Sequence, residues 1–153
     1  MSLPGRALGI DFGRRRIGLA VTDALGIAAT PVEVVDARDR ERAVNRIAEV
    51  ARDREAAVLV IGMPWNMDGT EHVMSRDVQA FARACAKRTG LPVEFEDERL
   101  TSVEAERQLA PARTPFRKRK GRLDQVAAVL ILRQWLERRA AEDAGPRAAD
   151  ADA

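Results

Sequence analysis

The sequence predicts an α/β fold: one mixed five-stranded sheet, made of a three-stranded meander joined to parallel strands, with helices on both faces. Three observations carry this. Three apolar runs separated by short turn signals open the chain. After Asp36 the apolar spacing becomes helical, and strands then alternate with helices. Ala57 to Gly62 is aliphatic without polar alternation, which suits a parallel strand buried on both faces. A meander followed by alternating elements folds into one layered sheet rather than a bundle or a sandwich.

The elements follow in order. Ala7 to Asp11 is a short buried strand, and Gly13 with three arginines makes the turn after it. Ile17 to Thr22 is the second strand, closed by Leu25-Gly26. Ile27 to Val35 is the third, and Pro31 assigns it an edge because proline donates nothing to a ladder. Val44, Ile47, Ala48 and Ala51 share one helical face. After the fourth strand, Pro64 to Gly69 is a loop. Met74, Val78, Phe81, Ala82 and Cys85 then mark a helix that stops near Gly90. Val93 to Asp97 is the fifth strand. Thr101 and Glu104 have capping-box spacing for a helix to about Leu109. A basic loop follows, then a last helix from about Leu123 to about Arg139. The 153 residues suit a single domain over residues 1–139, and the Ala- and Asp-rich stretch from 140 to 153 reads as a disordered tail.

Composition narrows the chemistry. The first residues carry no apolar signal run, and no window approaches about 18 consecutive apolar residues, so no membrane span is expected. A lone cysteine, Cys85, excludes an intramolecular disulfide, and its helical spacing assigns it to the core. A lone histidine, His72, leaves no His/Cys zinc site. Net charge is only +2, but from Arg107 to Leu123 the chain has basic residues and no acid. Such a stretch fits either a polyanionic substrate or a solvated loop.

Carboxylates stand where parallel strands end, which is where such sheets hold ligands. Asp11 ends the first strand between Gly9 and Gly13, and a buried strand-ending charge needs a partner such as a metal ion. Asp124 opens an almost wholly apolar helix, with Ala127 and Ala128 on its own face; ordinary N-terminal capping would also place an Asp there. Asp97-Glu98-Arg99 ends the fifth strand, and alternation alone does not decide which acid enters a site. Three converging carboxylates match two hard divalent cations and phosphodiester hydrolysis, which needs no histidine base. In the fourth segment, Asn66 and the amides near Gly69 suit a phosphate or a base edge, while Asp68-Gly69 is also an ordinary turn; Trp65 suits base stacking or packing.

Together these segments make the chain resemble the YqgF-type family, also called Holliday junction resolvases. The matching residues are Gly9-Ile10-Asp11-Phe12-Gly13, Arg16-Ile17-Gly18-Leu19-Ala20, Gly62-Met63-Pro64, Asn66-Met67-Asp68-Gly69-Thr70-Glu71, Asp97-Glu98-Arg99-Leu100-Thr101, Glu104-Ala105-Glu106-Arg107, Lys120-Gly121 and Asp124-Gln125-Val126-Ala127-Ala128. The resemblance covers roughly Leu8 to Leu136, and the order and spacing of these motifs are more specific than any one of them. The resemblance implies a ribonuclease H-like fold and Mg2+- or Mn2+-dependent cleavage at a two-metal site. Its acids would be Asp11, Glu98 and Asp124, with Asp97 a substitute for Glu98. It also implies a cytoplasmic protein that matures the 5′ end of pre-16S ribosomal RNA in ribosome biogenesis, or that cuts branched DNA. His72 and Ser102 are mild departures that touch none of these acids. Within that expectation Arg14, Arg16, Lys118 and Lys120 neutralise phosphates and Arg99 clamps one bidentately. The competing expectation is a nucleic-acid-binding protein without catalysis, its acids serving as caps and ion pairs. A relative of the actin and sugar-kinase ATPases is disfavoured because the chain is too short for their second domain. A monomer suits single-strand cleavage and a homodimer suits symmetric cleavage of two strands.

Overall fold

The structure is a computed structural model that describes the backbone of residues 5–64, 73–98 and 116–151, and the side chains of residues 5–64, 73–98 and 126–143. Strands β1 (Arg6–Asp11), β2 (Arg16–Thr22) and β3 (Ala29–Asp36) form the expected meander. Helix α1 (Arg40–Asp53), strand β4 (Ala56–Met63), helix α2 (Ser75–Thr89), strand β5 (Val93–Asp97) and helix α3 (Phe116–Ala151) follow. The sheet order is β3-β2-β1-β4-β5. β1 is antiparallel to β2, and β4 is parallel to both β1 and β5.

Local chemistry explains the boundaries. Asp39 caps α1 by accepting from the Arg42 amide, and Gly90 ends α2 at φ 72° while donating to the Ala86 carbonyl at 2.8 Å. Pro31 lies on the edge strand, beside a register shift at Leu19 and Ala20.

β4 is buried on both faces, as its unbroken aliphatic run predicts. Leu59, Ile61 and Met63 join Leu8 and Ile10 of β1 in a core under α1 and α2 that also holds Ile47 and Phe81. Val58 and Val60 join Ala7 of β1 in a second core under α3, with Ala128, Ile131, Leu132 and Trp135. Cys85 is fully buried in the first core, and burial pushes its thiol up to about 12, so it packs as a small hydrophobe.

Two expectations are corrected. The last helix starts at Phe116, not near Leu123, so the basic stretch from Arg117 to Arg122 lies on a helix rather than in a loop. Lysine and arginine are good helix formers, and Pro115 just before Phe116 is a helix-start signal that the charge obscured. The helix also continues past its expected end near Arg139 to Ala151, in keeping with the alanine content there. The Trp65 to His72 segment and the helix expected over Thr101 to Leu109 lie outside the described residues.

Candidate active site

Strand order brings the carboxyl ends of β1, β4 and β5 side by side. Ile10 pairs with Ile61, Gly62 with Glu96 and Met63 with Asp97. The Glu98 amide donates to the Met63 carbonyl at 3.3 Å and carries the ladder one residue further. Alternation then sorts the side chains. Ala7 and Val60 belong to the core beneath α3, so Gly9 and Asp11 on β1 and Gly62 on β4 take the same face. Glu94 and Glu96 of β5 also meet α3 side chains, and Glu98 continues that row.

Glycine is required at two of these positions. A Cβ on Gly9 would stand 2.5 Å from Leu132 Cγ and 3.1 Å from the Ala128 carbonyl, so the glycine lets α3 sit directly on the sheet. A Cβ on Gly62 would collide with Glu98 Oε2 and come within 2.6 Å of Ile131 Cδ1. The space beside Gly62 is thus occupied by the Glu98 carboxyl group. Gly62→Ala should push that group aside. A displacement near 1 Å predicts a fall of about a hundredfold in turnover with the fold retained, measurable as single-turnover cleavage beside a thermal melt. Wild-type turnover in that variant would show that the Glu98 position does not matter.

The side chains of Asp11 and Glu98 share a hydrogen bond. Burial raises the Glu98 pKa above the ordinary glutamate range; the shared hydrogen bond with Asp11 works against this, and the Asp97 charge works with it. Two acids held this close cannot both carry charge cheaply. A proton or a cation must lie between them. Their all-oxygen donor set and partial burial fit a hard divalent cation. Among the described residues no group of three His, Cys, Asp or Glu side chains is arranged to hold an ion. The third sequence candidate, Asp124, lies on α3 one turn before Ala128, which is fully buried on the sheet. Its side chain is outside those described. Asp97 follows the opposite alternation from Glu98, and its main-chain carbonyl accepts from Gln134 Nε2 at 2.8 Å.

The basic candidates divide. Arg14 pairs with Asp77 at the start of α2 at 3.5 Å, with both side chains largely exposed. Arg16 is half-buried at the start of β2 and lines an open groove of about 660 Å3 with Arg15, Val34, Asp36 and Arg38. Arg38 donates to Asp36 at 2.6 Å through Nη2 and at 3.0 Å through Nε, and its guanidinium holds the Asp36 carboxyl down at about 2. Arg15 and Arg16 add two further guanidinium groups to the lining of that groove. Sequence reasoning passed over Arg15 and Arg38, although the Arg14-Arg15-Arg16 run was a signal for the first. Lys118 and Lys120 lie on the first turns of α3, with side chains outside those described, and Asn66 and Arg99 lie outside the described residues altogether.

A β3-β2-β1-β4-β5 sheet clothed by helices on both faces, with carboxylates meeting at the ends of β1 and β5, defines a ribonuclease H-like nuclease fold. Solved structures agree on the fold. A Thermus thermophilus RuvC in complex with Holliday junction substrate superposes with a TM-score of 0.55 at 18% identity, covering 83% of this chain and 91% of that one. A fowlpox virus resolvase bound to Holliday junction DNA gives a TM-score of 0.51 at 9% identity, covering 86% and 97%. The chain belongs to the RuvX family, described as Holliday junction resolvase, whose profile matches residues 5–138. Curated relatives carry the name "Putative pre-16S rRNA nuclease". One from a Picosynechococcus strain is 46% identical over 136 residues, 89% of this chain and 94% of its own. One from an Anaeromyxobacter strain is 45% identical over 134 residues, 88% and 98% respectively.

Proposed function

We propose that this chain is a divalent-metal-dependent endonuclease that trims the 5′ end of pre-16S ribosomal RNA in the cytoplasm. The observation that carries this reading is the hydrogen-bonded pair Asp11 and Glu98, set on the sheet face that α3 covers. Asp11, Glu98 and Asp124 are the residues that would hold Mg2+ or Mn2+, with Asp97 adding negative charge from beside the site. The ions would supply Lewis acidity and lower the pKa of the attacking water. The chain's own residues do the rest. Gly62 leaves room for the Glu98 carboxyl group, α3 shields it from bulk water, and the groove at Arg15 and Arg16 receives backbone phosphates next to the strand that ends in Asp11. Arg14, Arg99, Lys118, Lys120 and Asn66 are assigned to phosphate or base contacts. No helix among the described residues is long and apolar enough to cross a membrane.

The relatives' name favours the RNA end, and the family's description favours a second reading, cleavage of four-way DNA junctions. An assay with Mn2+ that offers a pre-16S RNA end and a four-way junction to the same protein separates them. Junction cleavage should come with a dimer, since symmetric incision needs two active sites. Cleavage of neither substrate, with no Mn2+ binding, would leave a nucleic-acid-binding protein.

The raised Glu98 pKa adds a pH dependence. Without metal the folded state holds its proton above the ordinary glutamate value near 4.5, whereas the unfolded chain releases it there. This contribution to stability is therefore present below about that pH and fades as pH rises through the folded-state value. Bound Mn2+ would take the place of the proton, so the rise in Tm on adding Mn2+ should grow with pH across that window. Thermal melts from acid to neutral pH check this. A metal-induced shift that stays constant with pH would count against Glu98 as a ligand.

A further inference from the structure

Helix α3 is fastened to β5 at two levels. At the lower level, Trp135 Nε1 donates to Glu94 Oε1 at 3.1 Å, and the Arg139 guanidinium lies over the Trp135 ring while facing Glu94 at 3.7 Å. At the upper level, Glu96 is only 3% exposed, and its Oε1 accepts from Arg138 Nε at 3.0 Å and Nη2 at 2.8 Å. Gln134 Nε2 uses both its hydrogens there, one on Glu96 Oε2 at 2.9 Å and one on the Asp97 carbonyl at 2.8 Å.

The second of those bonds matters most. Arg138 alone supplies the charge partner that a buried carboxylate needs. The Asp97 carbonyl belongs to the peptide unit that leads into Glu98. The amide end of that unit donates to Met63, and its carbonyl end accepts from Gln134. Both ends are tied, one to the neighbouring strand and one to α3, so the backbone from which the Glu98 side chain departs is fixed. The same bond fixes how far α3, which also carries Asp124, is shifted along β5.

We infer that Gln134 is a positioning residue, which sets the Glu98 carboxyl group and the α3 register relative to each other through the Asp97 carbonyl. This rests on the proposed metal site, and it assigns a role to a residue on the helix that is not itself a ligand. Groups that orient metal ligands from behind are worth about 10- to 100-fold in metal affinity.

The test is Mn2+ titration by calorimetry on the full chain, without substrate. Gln134→Leu keeps the volume and removes both donors. It should weaken Mn2+ binding about 10- to 100-fold, lower kcat and leave KM for the nucleic acid unchanged. Gln134→Lys, which can donate to both oxygens, should recover most of the affinity. Trp135→Phe cuts the lower fastening at Glu94 and should lower Tm while leaving Mn2+ affinity unchanged. If Gln134→Leu does not fold, Gln134→Asn gives the same comparison, because it keeps the amide but is too short to reach both oxygens. Wild-type Mn2+ affinity in the Gln134 variant, or an equal loss in Trp135→Phe, would overturn the inference and leave the metal site standing. If the wild-type protein itself binds no Mn2+, the metal site fails and this inference fails with it.

Discussion

On the proposed metal site, Asp11→Asn is expected to lose at least about a thousandfold in cleavage rate, since a ligand to a catalytic metal contributes several kcal/mol to transition-state stabilisation. The variant should nevertheless fold as well as the parent. Asp11 shares a hydrogen bond with Glu98, which burial and the Asp97 charge already bias towards the protonated form. Replacing one acid of the pair by a neutral amide keeps a hydrogen-bonding group and removes a source of repulsion. In metal-free buffer Tm should therefore hold or rise, whereas the rise on adding Mn2+ should vanish. Single-turnover cleavage and paired melts with and without Mn2+ measure both halves. An Asp11→Asn protein that cleaves at the parental rate would take Asp11 out of the mechanism. One that is merely unfolded would contradict the account of the pair.

Trp135→Ala should be the most damaging substitution for stability. The ring is fully buried in the core under α3, against a sheet face lined by Ala7, Val58 and Val60. Truncating a buried tryptophan typically costs about 3–5 kcal/mol. Here the change also strips Glu94 of its indole donor and Arg139 of the ring beneath its guanidinium. Against a total stability of about 5–15 kcal/mol for an ordinary domain, this should move a denaturant midpoint far or unfold the protein at physiological temperature. A loss under about 1 kcal/mol would mean that α3 is held to the sheet by something other than this core.

The fold was legible where local pattern and burial coincide. The five strands and both helices between β3 and β5 were placed within a few residues, because each is framed by a glycine, a proline or a capping aspartate that acts locally. α3 was misjudged at both ends. Its flanks are basic on one side and alanine-rich on the other, and neither carries the apolar periodicity by which a helix is recognised. At the site, the sequence singled out Asp11 and the Asp97-Glu98 pair. It did not anticipate that Glu96 would be the buried acid of β5, nor that Gly62 would accommodate Glu98.

By itself the sequence determined the order of the described elements, the strand-end placement of its acids and its family, since these depend on composition and spacing along the chain. Only the tertiary structure decided that Glu98 shares a hydrogen bond with Asp11. A period of two says which residues of a strand share a face. Which face a distant helix covers depends on how α3, which begins only at Phe116, packs across the glycines of β1 and β4.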